Sequence, residues 1–249
     1  YSSAASDVYK RQGLSCKNIQ LSYYTFVSCW TDSEEESIPL WKMYAGKEMH
    51  GIRISLDSDM FLKYHIPSGR FYGVDVYSKN EKSSILPIEK IVTKDYLVVP
   101  SFNDSEMFFK KVLYVDNPFS EMRDVVQIQD MGNGEGAMKM NLKKIGLYKR
   151  KCWAFQKEHR FTLTILPNIW GDIDINQMPK RIMQAVYDRI PPKLSFFDLE
   201  INPELLSKMK ITLSPICSEA EKVIVESIVQ KFAPKAIIRE SMLKGLINR

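Results

Sequence analysis

Apolar and polar positions alternate in short runs along most of this chain and take a helical period in only a few places. YYTFVSCW, Tyr23 to Trp30, is aromatic and β-branched, which predicts a strand. TDSEEESIPLWKMYAG then predicts a helix, with Ser33 as cap, Glu34 to Glu36 at the positive end, Pro39 in the first turn and Gly46 closing it. Ile38, Trp41 and Ala45 share one face of that helix, with Leu40 and Tyr44 beside them. MHGIRISLD reads as a second strand, and Asp57 is placed to cap a short helix through MFLKYH. FYGVDVYS, DYLVVP and MFFKKVLYV are three further strands. Gly132, Gly134 and Gly136 mark a flexible loop that fits neither a dinucleotide fingerprint nor a phosphate-binding P-loop, and MKMNLKKIG predicts a short helix.

CWAFQKEHRF, Cys152 to Phe161, predicts the start of a long strand that runs on through TLTIL. Beyond it, QMPKRIMQAVYDR is a helix, KLSFFDLEI and MKITLSP are strands, and KAIIRES is a closing strand. SEAEKVIVESIVQKF has the clearest amphipathic pattern, with Val223, Ile224, Ile228 and Val229 as its apolar stripe. Strands outnumber helices without strict alternation. The expected fold is therefore one α+β domain from Gly13 to Arg249, a mostly antiparallel twisted sheet with flanking helices and a helix-rich C-terminal third.

On a period of two, Gln156, Glu158, Arg160, Thr162 and Thr164 share one face of the long strand, and Phe155, Lys157, His159, Phe161, Leu163 and Ile165 share the other. Two readings of the polar row stand. It is the wet side of an antiparallel sheet, with a Glu158–Arg160 pair worth little. Alternatively it is one wall of a cleft in which Glu158 is the working carboxylate beside Gln156 and Arg160. Ser28, near a strand end, is a candidate hydroxyl for positioning a ligand or Glu158. Trp41 and Tyr44 suit a ligand ring or the core, and Trp153 offers another ring. Catalytic candidates are thus Glu158, Gln156 and Ser28; substrate-binding candidates are Arg160, Trp41, Tyr44 and Trp153.

Net charge is +5 with a pI near 8.8, which permits an anionic partner without requiring one. The stretch from Lys139 to Lys151 holds Lys139, Lys143, Lys144, Lys149, Arg150 and Lys151 and no acid. It reads as a solvated helix and turn, or as a binding module for nucleic acid or protein. Cys16, Cys29, Cys152 and Cys217 are widely spaced, the pattern of free thiols in a reducing, cytoplasmic setting. His50, His65 and His159 are equally scattered, so no metal is expected. No apolar run nears the roughly 20 residues that span a bilayer. SDVYKRQ, Ser6 to Gln12, looks like translated sequencing-adapter sequence, so residues 1–12 are read as a non-native tail and natural residues before Gly13 as missing.

Three stretches together resemble a bacterial family known as domain of unknown function 2971. They are FVSCWTDSEEESIPLWKMYAGKEMHGIRISLD, KRKCWAFQKEHRF, and LSKMKITLSPICSEAEKVIVESIVQKF with IIRESMLKGLINR. The second is similar to the family's Lys…Trp-x-x-Glu-x-Glu-x-Arg, except that its first acid is Gln156 here. The family's opening Tyr-Arg-rich strand and Asn-Asp-Pro loop have no counterpart in this chain. The resemblance implies no established activity. A late strand bearing Gln-x-Glu also looks like ADP-ribosyltransferases, which implies NAD as substrate. In that scheme Glu158 holds the nicotinamide ribose, Gln156 orients the acceptor and Ser28 positions Glu158. The implied role is a toxin or phage-defence effector.

Overall fold

The long strand is the axis of the larger part of the molecule. This computed structural model describes residues 19–46, 48–66, 68–71, 74–76, 83–132, 135–168 and 178–247. The adapter-like tail, Gly134 and the PNIWGDIDI stretch beyond its first two residues lie outside them. In chain order the elements are β1 (Thr25–Thr31), α1 (Ile38–Tyr44), β2 (Ile52–Ser55), β3 (Tyr64–His65), β4 (Gly69–Phe71), β5 (Val74–Val76) and β6 (Ser83–Ser84). Then come α2 (Ile88–Ile91), β7 (Tyr96–Val98), α3 (Ser105–Phe108), β8 (Phe109–Lys111), β9 (Leu113–Val115) and α4 (Pro118–Glu121). There follow β10 (Val126–Gly132), β11 (Glu135–Met140), β12 (Tyr148–Arg150), β13 (Glu158–Pro167) and α5 (Met178–Tyr187). The chain closes with α6 (Pro203–Ser207), β14 (Lys210–Leu213), α7 (Glu219–Phe232) and β15 (Ile237–Arg239). Antiparallel pairings predominate and several helices accompany them, so the α+β expectation is borne out.

The chain divides into two units. Unit 1 comprises Tyr1–Asp32 and Tyr64–Asp198; unit 2 comprises Ser33–Lys63 and Leu199–Arg249. In unit 1, β13 is central. One edge pairs with β1 along seven residues, and the other pairs first with β8 and then with β7, all antiparallel. Val98, Phe161, Leu163, Ile165 and Leu166 are buried along this sheet. Tyr24, Leu166 and Val186 form a core cluster beside it, where the Tyr24 hydroxyl donates to the Ala185 carbonyl at 3.3 Å.

In unit 2, β14 is central, parallel to β15 and antiparallel to β2, with Ile211 and Leu213 fully buried on it. α7 starts at a capping box in which Ser218 and Glu221 exchange bonds. Glu36 ties the C-terminal segment down. Its carboxylate accepts from Ser241 Oγ at 2.6 Å, from the Met242 amide at 2.7 Å and from Trp41 Nε1 at 3.0 Å.

Several expected elements differ. The start of the Cys152 strand is a 3-10 turn, Lys151–Gln156, and β13 begins only at Glu158. MKMNLKKIG ends a hairpin strand and continues as a turn, because it pairs back onto β10. MFFKKVLYV breaks into α3, β8 and β9, because Asp104 caps a helical turn there. MFLKYH is not helical: Phe61 bridges Ile201 and Tyr64 pairs with Ser84. KLSFFDLEI makes only that bridge. The first helix has Ser37 in its N-cap position, without a side-chain capping bond, and not Ser33, whose hydroxyl donates to the Glu35 carbonyl.

Candidate functional site

β13 is buried on both faces, which settles the status of the polar row. Phe108, Phe109 and Trp30 rings meet Phe161 on the odd side. On the even side Thr162 and Thr164 are buried too, so this is no wet sheet face. The turn over residues 142–147 reaches that side. Gly146, at φ +72, sits where an added Cβ would lie 3.8 Å from Thr162 Oγ1 and from Val27 Cγ1. That backbone conformation is the reason for a glycine here.

Glu158 is only 4% exposed, and its carboxylate is gripped at both ends. Arg160 Nε donates to Oε1 at 2.6 Å and Lys149 Nζ donates to Oε2 at 2.7 Å. Arg160 also donates to the Gly146 carbonyl at 2.7 Å. Lys149 donates as well to Gln156 Oε1, so the amide and the carboxylate share one ammonium. The parallel pairing of β12 with β9 sets Lys149 beside Tyr114, and Tyr114 accepts the Glu158 backbone N–H at 2.9 Å. A left-handed Lys157, at φ 46, turns the chain from the 3-10 segment into β13 and brings Gln156 inward.

Lys110 stands opposite Arg160 on β8 and is buried, its ammonium donating to the carbonyls of Leu142 at 2.8 Å and Ile145 at 2.7 Å. Cys29 pairs with Arg160 from the β1 side. Directly paired residues share a face, so β1 contributes Cys29 and Thr31 to the Glu158 side.

The electrostatics follow from burial and charge. Burial alone raises the Glu158 carboxyl, but hydrogen bonds from Arg160, Lys149 and Cys29 outweigh it and hold it at about 2. For Arg160, burial works against the charge, and Glu158 overcomes it and raises the pKa. Burial, then the neighbouring Arg160, push Lys110 down to about 8. Partial burial and the Glu158 carboxylate push the Cys29 thiol up, so it is not an activated nucleophile.

The structure thus brings together Glu158, Gln156 and Arg160: Glu158 and Arg160 are bonded along β13, whereas Gln156 lies in the 3-10 segment and joins them through Lys149. Ser28 is not among them. It pairs with Phe161 on the opposite face and accepts a hydrogen bond from Trp30 Nε1 at 2.9 Å, so it does not position Glu158. Trp153 does lie near, with Lys149 Nζ 5.2 Å from its ring centre. Trp41 and Tyr44 belong to unit 2. Trp41 is buried and donates to Glu36, whereas Tyr44 is exposed. Cys29, Lys110 and Tyr114 were not legible as site residues, because only strand register brings them in.

The basic stretch is compensated by acids from elsewhere. Lys143 pairs with Glu106 and lies 4.0 Å from Asp104, Lys144 pairs with Asp124, Lys149 with Glu158 and Lys151 with Asp116. Among the described residues no group of His, Cys, Asp and Glu could hold a metal ion, and no helix is long and apolar enough to cross a membrane.

Fold and site together define an α+β protein whose buried carboxylate is clamped by two cations. Comparison with protein-family models, with curated proteins and with solved structures finds no match.

Proposed function

We propose that unit 1 is a nucleotide-directed enzyme that cleaves NAD or transfers its ADP-ribose, with Glu158 facing the ribose and Arg160 and Lys149 taking the pyrophosphate. One observation carries this reading: a single buried carboxylate stands among three cations, Arg160, Lys149 and Lys110. The face is positive at neutral pH, and a pyrophosphate is an anion of the right kind to balance it. Glu158, held at about 2, is ionised at any physiological pH, the state needed to stabilise positive charge developing at an anomeric carbon. Arg160 supplies a planar fork, and the Trp153 ring suits stacking of a base. The buried Thr162 hydroxyl has no hydrogen-bond partner among the described residues and offers a donor to a phosphate oxygen.

Gln156 acts as a positioning residue through Lys149. In hydrolysis the bond from the anomeric carbon to nicotinamide breaks, water's oxygen bonds that carbon, and nicotinamide, ADP-ribose and one proton leave. The likeness of Gln-x-Glu to ADP-ribosyltransferases supports the same reading at the level of analogy. A cytoplasmic toxin or defence role belongs to the same proposal.

The test is incubation of the folded chain with NAD, with and without cell extract, following nicotinamide release by chromatography and label transfer to macromolecules. Release that disappears in Glu158→Gln supports the proposal. Intact NAD and no labelled acceptor overturn it.

A second reading has its own observation. Both oxygens of the Glu158 carboxylate, and Arg160 through Gly146, are already satisfied inside the chain. On this reading the cluster is a structural lock. It predicts that neither ADP-ribose nor pyrophosphate shifts the melting temperature of the wild-type chain, whereas the enzyme reading requires a shift.

A further inference from the structure

The sheet of unit 2 sets three polar side chains in one row. Arg53 on β2 and Arg239 on β15 each pair directly with Thr212, which stands between them on β14. Directly paired residues share a face, and Lys210, two positions before Thr212, shares it as well. Neighbouring strands lie about 4.8 Å apart, so the two arginines start about 10 Å apart with the threonine midway. Two long arms starting at that distance can meet over the residue between them.

The donors of this row are unspent. Among the described residues Arg53, Lys210 and Arg239 have no carboxylate partner. Lys210 and Arg239 are exposed, and Arg53 is half-buried. Arg53 reaches the Glu34 carbonyl at 3.4 Å from Nη1 and 3.5 Å from Nη2, the outer limit of hydrogen bonding. Its Nε–H is shut away from water with no acceptor. A buried donor left in that state costs free energy and calls for an explanation. Thr212 is 6% exposed, and its hydroxyl makes no hydrogen bond among the described residues.

The acids nearby are engaged elsewhere. The Glu36 carboxylate takes Ser241, Met242 and Trp41. Glu240, the residue after Arg239, is taken by Lys222 at 3.0 Å and by Lys244 at 3.1 Å. Three cations and a hydroxyl therefore share one face without an acceptor of matching charge. We infer that this face of unit 2 binds a phosphate group. Arg53 takes it side-on through Nε and one terminal nitrogen, Arg239 closes from the opposite strand, Thr212 donates from below and Lys210 stands at the margin. A tetrahedral oxyanion offers oxygens to donors that converge from several sides, which a planar carboxylate does not. The row shares no residue with the Glu158 cluster, which belongs to unit 1.

The experiment is an NMR titration of the full, nitrogen-15-labelled chain with inorganic phosphate, against sodium chloride at the same ionic strength. Wild type is expected to show saturable shifts of the Arg53 and Arg239 Nε–H signals and of the Thr212 amide, which chloride does not give. Arg239→Gln is expected to stay folded, because the position is exposed, and to raise the dissociation constant by at least about tenfold. Thr212→Val keeps the shape of the side chain and is expected to raise it about fivefold, with the amide spectrum verifying the fold. Ribose 5-phosphate is titrated in parallel. Tighter binding of the ester assigns the site to a phosphorylated small molecule, and equal or weaker binding assigns it to the free ion. Pyrophosphate also fits this face, so its action on unit 1 is read in a background carrying Arg53→Gln and Arg239→Gln.

Shifts that chloride reproduces overturn the inference. So do shifts that never saturate, or a dissociation constant unchanged by both Arg239→Gln and Thr212→Val.

Discussion

Replacing Glu158 by Gln keeps the length of the side chain and removes its charge. Arg160 and Lys149, 2.6 and 2.7 Å from the two carboxylate oxygens, are then left as neighbouring cations in a buried place. The folded-state pKa of about 2, against an ordinary 4.5, sets the scale. A difference of that size corresponds to about 3 kcal/mol of stability at neutral pH. The same figure is reached from the other side, because breaking a buried ion pair by removing one partner costs about 3–5 kcal/mol. The sign is that of a depressed carboxylate. Its contribution is complete above about pH 4.5 and is lost as pH falls through about 2. Urea unfolding followed by the tryptophan fluorescence of a Trp41→Phe background, in which Trp30 and Trp153 report on unit 1, measures the change. Glu158→Gln is expected to cost about 3 kcal/mol at pH 7, about half of that at pH 3, and almost nothing at pH 1. A loss under about 1 kcal/mol at pH 7, or the same loss at pH 3 as at pH 7, refutes the reasoning.

Lys110, held at about 8 by burial, carries the opposite kind of term. Between about pH 8 and 10.5 the unfolded chain holds a proton that the folded one has released, so unit 1 gains up to about 3 kcal/mol there, and Lys110→Met abolishes that rise in a urea titration. Glu36→Ala removes the acceptor for Ser241, Met242 and Trp41 in unit 2, and hydrogen exchange at the Met242 amide is expected to quicken about thirtyfold, the equivalent of about 2 kcal/mol. Ser218→Ala removes the α7 cap and is expected to lower unit 2 stability by about 1 kcal/mol in thermal unfolding.

What could be read in the sequence was what local chemistry decides. The start of α7 follows from Ser218 and Glu221, whose capping box is written three residues apart in the chain. The core of β13 follows from Phe161, Leu163 and Ile165 at a period of two. The period fails at its upstream end, because Lys157 takes a left-handed conformation that no alternation signals. Ser28 illustrates a register problem. One residue along β1 separates the face of Phe161 from the face of Arg160, and Cys29, not Ser28, is on the latter. The basic stretch illustrates a problem of distance: Glu106, Asp124, Glu158 and Asp116 compensate Lys143, Lys144, Lys149 and Lys151, and none of the four acids lies within the stretch.

The polar row on β13 has a physical origin that does not depend on its use. The segment reaching this face is a turn, and a turn leaves carbonyls that helices and strands would satisfy internally. Those of Leu142, Ile145 and Gly146 take donors from Lys110 and Arg160, the latter on the strand below. Two cations brought inside for that task need a counter-charge, and Glu158 supplies one. Lys149 then exceeds what the carbonyls require: among the hydrogen bonds of this cluster it donates to Gln156 and Glu158 and to none of the three. The cation beyond structural need is therefore Lys149, whose ammonium also lies at the Trp153 ring. A ligand anion has most to gain there. If the enzyme reading holds, Lys149→Met abolishes the thermal shift given by pyrophosphate while leaving the carbonyl contacts of Lys110 and Arg160 in place. A pyrophosphate shift that survives this substitution removes Lys149 from the proposed site.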